Sequence, residues 1–498
     1  MAKRKRVAVI GAGLGGLSAS IILATQGYDI DVYEQNDKAG GKANQIFESG
    51  FRFDTGPSLL TMPFVIKELF RLSGEKIEDY LELVPLDILC KYFYPDNTVI
   101  NAYSDVEKFA NEISEKTKDS AYSVKRYLKY SEKIYKLTAD LFLFSNFSDI
   151  KNFYKPAALK TLFQINKIDP FRSMHKANRS FFKDPKTIQL FDRYATYNGS
   201  NPFKAPATLN IIQHVEYNIG GFIIKRGVYS LVEALMKVAK KKGVNFFFNS
   251  KVSQILHDNR IIKGLSVNRN GIHERKDYEV VLTNADVNYT YMNLLNDTVS
   301  KSAKRYSKLE PSSSALVFYW GVKGIHENLE THNILFSEDY RKEFKDLFEN
   351  SICPDDPTIY IYVSSKFNSA DTPENHENWY VMINAPYVKN QNWKKEIEKS
   401  RKNIIKKIRD VLGIELESKI VFEKVLSPEM IEKTTSSFRG SLYGISSNGK
   451  SSAFVRQKVQ SKEYKGLYFC GGSAHPGGGI PLVILSGKLA AESIIKEL

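Results

Sequence analysis

The chain has 498 residues, 42% of them hydrophobic, with 71 Lys+Arg against 56 Asp+Glu and a formal net charge of +15. That is room for about two to four domains with sizeable cores in an ordinary globular composition, which excludes a disordered or fibrous chain. No apolar run of about 18 residues occurs, so no transmembrane helix is expected. The basic balance reads either as a solvated basic surface or as attraction to an anionic membrane surface. Nucleic acid is set aside as a partner, because the sequence has no zinc spacing, RNA-recognition signature or dense Arg/Lys tail. Cys90, Cys353 and Cys470 are few and far apart. They imply no disulfide framework, show no metal-ligand spacing and fit a reducing compartment. The basic start, Lys3 to Arg6, resembles a signal peptide superficially, but cleavage there would delete the motif that follows.

Val7-Ala8-Val9-Ile10 is an apolar run with the pattern of a strand buried on both faces. Gly11-Ala12-Gly13-Leu14-Gly15-Gly16 follows, then Leu14, Leu17, Ile21 and Ala24 at helical spacing, with Gly27 placed to stop the helix. Ile30 and Val32 read as a second strand ending on Glu34. Strand, glycine turn, helix, strand and acid make a dinucleotide-binding βαβ unit. Gly11 allows the tight turn, Gly13 lets a pyrophosphate approach the backbone, and Gly16 lets helix and strand pack closely. The helix N-terminus offers free N–H groups to the phosphates. Glu34 is placed to accept from a ribose diol, and an acid there argues against NADP.

Gly40-Gly41-Lys42, and then the turn-rich stretch from Gly50 to Ser58, suggest further loops passing close to a ligand. A longer cofactor such as FAD would use this second glycine cluster. Residues 62–215 read as mainly helical, with Tyr127, Tyr130, Ile134, Leu137, Leu141 and Phe144 on one apolar helix face. Lys151 to Lys167 mixes lysines with Phe153, Tyr154 and Phe163, the composition of a membrane-surface helix. Residues 220–290 return to an α/β pattern. It contains a helix from Gly227 to Lys242, a strand Val244 to Phe248, strands Lys251 to His257 and Arg260 to Val267, and an apolar strand Val280 to Ala285. All of these are expected to join the nucleotide sheet. From 311 to 425, strands Ala315 to Trp320, Thr358 to Val363 and Trp379 to Asn384 precede a helix Lys394 to Leu412, suggesting a second, antiparallel sheet backed by helix. Gly466 to Pro481 is a strand running into a glycine loop, and Leu482 to Leu498 is an amphipathic helix with Pro481 suited to its first turn. Such a helix N-terminus can stabilise negative charge on a reduced flavin.

With both ends read, the chain resembles the bacterial carotenoid (phytoene-type) desaturase family of FAD-dependent oxidoreductases. The resemblance rests on Gly11 to Gly16 with Glu34, Gly40-Gly41-Lys42, Asp54-Thr55-Gly56-Pro57-Ser58, Val252, Asn284-Ala285-Asp286 and the block His475 to Pro481. It implies an α/β fold, α+β overall: a Rossmann-type FAD-binding domain interleaved with a substrate domain of antiparallel sheet plus helices, like amine oxidases and p-hydroxybenzoate hydroxylase. The expected division is 1–61, 220–300 and 436–498 for FAD, and 62–219 and 301–435 for substrate and membrane. FAD contacts are implied for Gly11, Ala12, Gly13, Gly15, Gly16, Glu34, Gly41, Lys42, Gly56, Pro57, Ser58, Val252, Asn284, Gly472, Ser473, Gly479 and Ile480. His475 is the candidate catalytic residue, with a loop-stabilising histidine as the alternative. Lys42 stands where the family often has Arg, keeping the charge but losing the bidentate fork to phosphate.

Leu59-Leu60-Thr61-Met62-Pro63 looks more like the branch acting on hydroxylated carotenoids at the 3,4 position. The resemblance implies desaturation of a 1′-hydroxy-γ-carotene-like, lipid-dissolved substrate at its 3′,4′ position by hydride transfer to flavin. Oxygen or a quinone would take the electrons, and the enzyme would lie peripherally at the inner face of the cytoplasmic membrane. Phytoene desaturase, a carotenoid ketolase or isomerase, and a non-catalytic isoprenoid escort protein are the alternatives. An amine oxidase is disfavoured, because that class commonly has Glu after the C-terminal glycine turn, where this chain has Ser473.

Overall fold

Arg6–Ile10 is the middle strand of a five-stranded parallel sheet, ordered Leu467–Phe469, Val280–Thr283, Arg6–Ile10, Asp29–Tyr33 and Asn245–Phe247. Val7, Ala8 and Val9 are fully buried, as expected of a strand covered on both faces. The computed structural model describes residues 5–56, 58–145, 167–449 and 455–498. Leu14–Thr25 forms the first helix, and Gly27, at φ +86°, turns the chain out of it. The C-terminal helix, Ile480–Glu497, lies directly against the first, and Pro481 sits in its first turn. A Cβ on Gly487 would stand 2.2 Å from the Gly15 carbonyl oxygen and 2.9 Å from Ser18 Cβ. Ser18 Oγ donates to the Ile484 carbonyl at 2.8 Å. Because the sheet is parallel, the strands ending at Ile10, Thr283 and Phe469 deliver the next residues of all three to one edge. That edge is where ligands sit in such sheets.

The second sheet has seven strands, ordered Ile420–Leu426, Ser314–Lys323, His376–Ala385, Ile359–Val363, His332–Leu335, Ile88–Phe93 and Val99–Tyr103. All neighbours are antiparallel except His332–Leu335 with Ile88–Phe93. Side chains alternate along the long strand Ser314–Lys323. Leu316, Phe318 and Trp320 pack with Trp393, Ile404 and Ile408 of the backing helix Trp393–Leu412. Val317 and Tyr319 face the other way, into a cluster with Phe51 and Phe53. One face of the sheet is thus sealed by a helix, and the other turns towards the first sheet's loops.

One expectation is incomplete and one is corrected. The stretch 62–215 is mainly helical among its described residues, as read, but also contains the strands Leu83–Pro85, Ile88–Phe93 and Val99–Tyr103. Its long helix is Ala121–Phe142, with Tyr127, Ile134 and Leu141 buried. The last two strands form a hairpin around Pro95-Asp96-Asn97, where Asn97 takes φ +65° and Tyr94 N–H donates to the Thr98 carbonyl. This is turn chemistry that helical periodicity overlooks. The strands read as Lys251 to His257 and Arg260 to Val267 do not join the nucleotide sheet. As Ser250–Asp258 and Ile261–Arg269 they form a separate antiparallel sheet with Ile272–Asp277. Their mixed burial, with exposed residues between buried ones, suits a sheet with one wet face. The basic segment Lys151 to Lys167 lies outside the described residues apart from Lys167.

The contact at Gly487 makes a direct prediction. Gly487→Val should lower the thermal unfolding midpoint, at an overpacking cost of about 1–3 kcal/mol, and should loosen flavin retention. An unchanged midpoint by differential scanning calorimetry would show that the two helices have room to part.

Candidate functional site

Three loops meet at the edge of the parallel sheet, and Asn284 stands between them. Its backbone N–H donates to the Ile10 carbonyl at 2.8 Å, which fixes it beside the first glycine turn. A Cβ on Gly13 would stand 2.6 Å from Asn284 Nδ2. One on Gly15 would stand 2.7 Å, and one on Gly471 2.5 Å, from Asn284 Oδ1. Glycine at these positions therefore serves the packing of a side chain as well as any ligand. Gly16 sits behind the turn, where a Cβ would be 2.3 Å from the Gly11 carbonyl oxygen. The second glycine pair folds onto the first: Gly40 N–H donates to the Ala12 carbonyl at 3.0 Å, and Gly56 leaves no room for a Cβ beside the Lys42 carbonyl, 2.1 Å away.

Glu34 ends its strand buried, 5% exposed. Oε2 accepts from Ala12 N–H at 2.8 Å, and Oε1 accepts from the Asn36 backbone and side-chain amides at 2.9 and 2.8 Å. A carboxylate has about four acceptor sites, so three protein donors leave capacity for a hydroxyl. Neither helix facing this region has a side-chain cap: the N-cap residues are Gly13 and Gly479. First-turn N–H groups at both are left for a ligand.

These loops line one end of a single cavity of about 1010 Å³. Beyond them its walls are Leu89, Leu209, Ile212, Val215, Tyr319, Ile334, Tyr360, Tyr380 and Met382. Within that largely apolar chamber lies a buried ion pair. Arg193 Nη2 meets Glu216 Oε1 at 3.1 Å, and Arg193 Nε donates to the Tyr92 hydroxyl at 2.7 Å. Burial works against the Arg193 charge, but Tyr194, Tyr92, Tyr197 and Glu216 outweigh it and keep the guanidinium protonated. The cation also lies 4.1 Å over the Tyr194 ring. A second polar chain joins Ser58 Oγ to the Tyr360 hydroxyl at 2.5 Å, and that hydroxyl to His332 Nδ1 at 2.8 Å.

Of the residues expected to bind FAD, Gly11, Gly13, Gly15, Glu34, Gly41, Lys42, Gly56, Ser58, Val252, Asn284, Gly472, Ser473, Gly479 and Ile480 line this cavity. Ala12 and Gly16 do not; Ala12 gives its N–H to Glu34. Pro57 lies outside the described residues. Lys42 donates from Nζ to the Ser441 and Leu442 carbonyls at 3.0 and 2.7 Å. Burial pushes its pKa down to about 8, against the pull of Asp286. Ser473 Oγ accepts from Val287 N–H at 3.0 Å.

His475 lines the cavity, and its Nε2 lies 3.0 Å from the Ser145 carbonyl oxygen, just beyond the long helix. A carbonyl accepts and never donates, so Nε2 carries the ring proton. Burial holds the imidazole neutral, with a pKa pushed down to about 4. Arg456, which no motif announces, ties the same loop from the other side. Its Nη1 donates to the Tyr443 and Gly472 carbonyls, each at 2.9 Å. Sequence reasoning also missed Arg193, Glu216, His332 and Tyr360. A single arginine within Arg193-Tyr194-Ala195-Thr196-Tyr197 was the available signal for the first.

The donor set fits FAD: two uncapped helix N-termini, a strand-end carboxylate with an acceptor site to spare, and a chamber continuous with both. The chain belongs to the flavin containing amine oxidoreductase family, which matches residues 14–495. Solved structures agree on the fold. An oxidoreductase from Methanosarcina mazei superposes with a TM-score of 0.65 at 16% identity, covering 99% of this chain and 100% of that one. Cyclohexylamine oxidase from Brevibacterium oxydans gives 0.63 at 13%, covering 99% of each chain. Two relatives narrow the group. The 1-hydroxycarotenoid 3,4-desaturase of a Flavobacterium species is 40% identical over 98% of this chain and 99% of its own length. The 4,4'-diaponeurosporene oxygenase of Staphylococcus haemolyticus is 32% identical over 99% of this chain and 97% of its own. The protein is an FAD-dependent oxidoreductase of the carotenoid desaturase family.

His475 supplies the prediction here. Between pH 6.5 and about 4 the unfolded chain binds a proton that the folded imidazole refuses, so native stability falls as pH drops through that window. His475→Gln, whose amide N–H can still reach a carbonyl, should remove this component while keeping FAD and most turnover. His475→Ala should lose both. A His475→Gln protein that keeps FAD but loses turnover would make the imidazole a proton carrier instead of a loop tie.

Proposed function

We propose that the chain introduces a C=C bond at the 3,4 (3′,4′) position of a carotenoid bearing a tertiary hydroxyl at the adjacent end, a 1′-hydroxy-γ-carotene-like substrate. The observation carrying this reading is the continuity of one large, mostly apolar cavity with the FAD loops, in a chain 40% identical to a 1-hydroxycarotenoid 3,4-desaturase. When bound, FAD supplies the two-electron oxidation by accepting a hydride from one carbon of the substrate. The neighbouring carbon would give up its proton to water, the new double bond extending the conjugation, and the two electrons would pass on to oxygen or a quinone.

The residues of the chain orient and exclude water. Gly11, Gly13 and Gly15, Glu34, Gly41 and Lys42 form the adenosine and pyrophosphate end. Gly56, Ser58, Asn284, Gly472, Ser473, Gly479 and Ile480 would hold the flavin end, and Val252 would face the nucleotide. Tyr319, Tyr360, Tyr380 and Met382 hold the polyene in place. No strong base is required, since the conjugated chain delocalises developing positive charge. His475 acts as a positioning residue that anchors the C-terminal loop. The lipid-dissolved substrate is met at an anionic membrane surface, which the net charge of +15 favours. No helix among the described residues is long and apolar enough to cross a membrane.

The staphylococcal relatives, named as 4,4'-diaponeurosporene oxygenases, favour a second reading, oxygenation of the substrate. One experiment separates the two. Purified flavin-loaded protein is given hydroxylated carotenoid in anionic liposomes, and products are read by absorbance and mass. Loss of two hydrogens with a red-shifted spectrum is expected. A product that has gained oxygen would replace desaturase with oxygenase, and unchanged carotenoid would favour an escort role.

A further inference from the structure

His332 is a buried polar group in the apolar chamber whose hydrogen-bonding capacity the protein leaves half used. It lies on the strand His332–Leu335, lines the cavity and is 2% exposed. Its Nδ1 is engaged with Tyr360, but its Nε2 has no hydrogen-bond partner among the described residues. The ring is held parallel to Tyr362, 5.0 Å away at 14°, and to Tyr360, 6.1 Å away at 14°. The stacking restrains it from turning to find a partner. A buried nitrogen without a partner is costly, and in a binding site that cost points to a group the ligand supplies.

The chemistry of that ligand group follows from the surroundings. Burial, helped by the nearby Arg193 cation, holds the His332 pKa down at about 3, so the ring meets its partner uncharged. A neutral imidazole suits a neutral hydroxyl better than a carboxylate or an ammonium group. The Tyr360 hydroxyl has one proton to give. If it goes to His332 Nδ1, then Nε2 carries the ring proton and donates. If it goes to Ser58 Oγ, then Nδ1 carries the ring proton and Nε2 accepts. A hydroxyl can answer either arrangement; a hydrocarbon can answer neither.

The position also agrees. Ser58 belongs to the FAD-side loop, so His332 stands two hydrogen bonds from the cofactor end of the chamber. In a 1-hydroxylated carotenoid oxidised at its 3,4 bond, a single carbon separates the hydroxyl-bearing carbon from the reacting pair. The residue that reads such a hydroxyl must therefore lie close to the cofactor.

We propose that His332 Nε2 hydrogen-bonds the substrate hydroxyl, selecting hydroxylated over unsubstituted carotenoids and fixing which bond of the polyene meets the cofactor. The proposal rests on the reading of the protein as a hydroxycarotenoid desaturase. The test compares kcat/KM of the flavin-loaded full chain for a 1-hydroxylated carotenoid and for the same carotenoid without the hydroxyl, in identical liposomes. Each ratio is taken within one preparation, so loss of folded enzyme cancels.

The wild type should favour the hydroxylated substrate at least about tenfold. His332→Phe, which keeps the stacking, should reduce that preference by about ten- to a hundredfold, and His332→Gln should restore part of it. If His332→Phe yields no flavin-loaded protein, His332→Leu serves in its place. If neither loads, Tyr360→Phe decides, since freeing the ring should still cut the preference several-fold. A wild-type preference that survives in the variant tested overturns this proposal alone. A wild type that converts both equally overturns the hydroxycarotenoid reading with it, and one that converts neither overturns the desaturase reading as a whole.

Discussion

The amide of Asn284 occupies the point where the first glycine turn and the C-terminal glycine loop meet, and the architecture of the site depends on that fit. Its two polar atoms lie closer to Gly13, Gly15 and Gly471 than a Cβ on any of them would allow. Its backbone is pinned to Ile10, the last residue of the central strand. Three strands widely separated in sequence thus end on one small polar plug. The same packing brings the N-termini of the first and last helices together, with Gly487 closing the gap between them. Two uncapped helix ends then share one chamber, a favourable electrostatic setting for an anionic cofactor.

Buried cations and a neutral ring tie together the loops around this plug. Arg456 grips the Tyr443 and Gly472 carbonyls, Lys42 grips those of Ser441 and Leu442, and His475 reaches the Ser145 carbonyl. Each leaves a charge or polar ring buried, a cost that hydrogen bonds to backbone carbonyls offset. Leu442 N–H in turn donates to the Ser313 carbonyl, next to the long strand Ser314–Lys323, which links these loops to the seven-stranded sheet.

Much of this was legible in the sequence, because the constraints that make the nucleotide unit are local. Val7 to Glu34 carries its strand, turn, helix and acid within one stretch, and the block from Gly466 to Pro481 does the same at the other end. The seven-stranded sheet was legible in part, since Ser314–Lys323 and His376–Ala385 carry near-continuous apolar runs of strand length. Its two outermost strands on one side, Ile88–Phe93 and Val99–Tyr103, were lost inside a region of helical periodicity, where only Asn97 and its neighbours marked the hairpin. The polar groups of the chamber were hardest to see. Arg193, Glu216, His332 and Tyr360 lie far apart along the chain and acquire meaning only when the fold gathers them. Asn284 was read as a cofactor residue from family likeness, but its packing against three glycines is invisible without coordinates.

The most direct test is a double-mutant cycle on the FAD dissociation constant using Gly13→Ala and Asn284→Ala. Gly13 has φ −73°, which alanine adopts freely, so the obstacle to a methyl group there is the Asn284 amide. Each single substitution should weaken FAD binding. The account predicts that the double variant binds FAD no more weakly than the worse single one, because removing the amide makes room for the methyl. Losses that multiply in the double variant would contradict it, and would mean that Gly13 answers to the pyrophosphate alone.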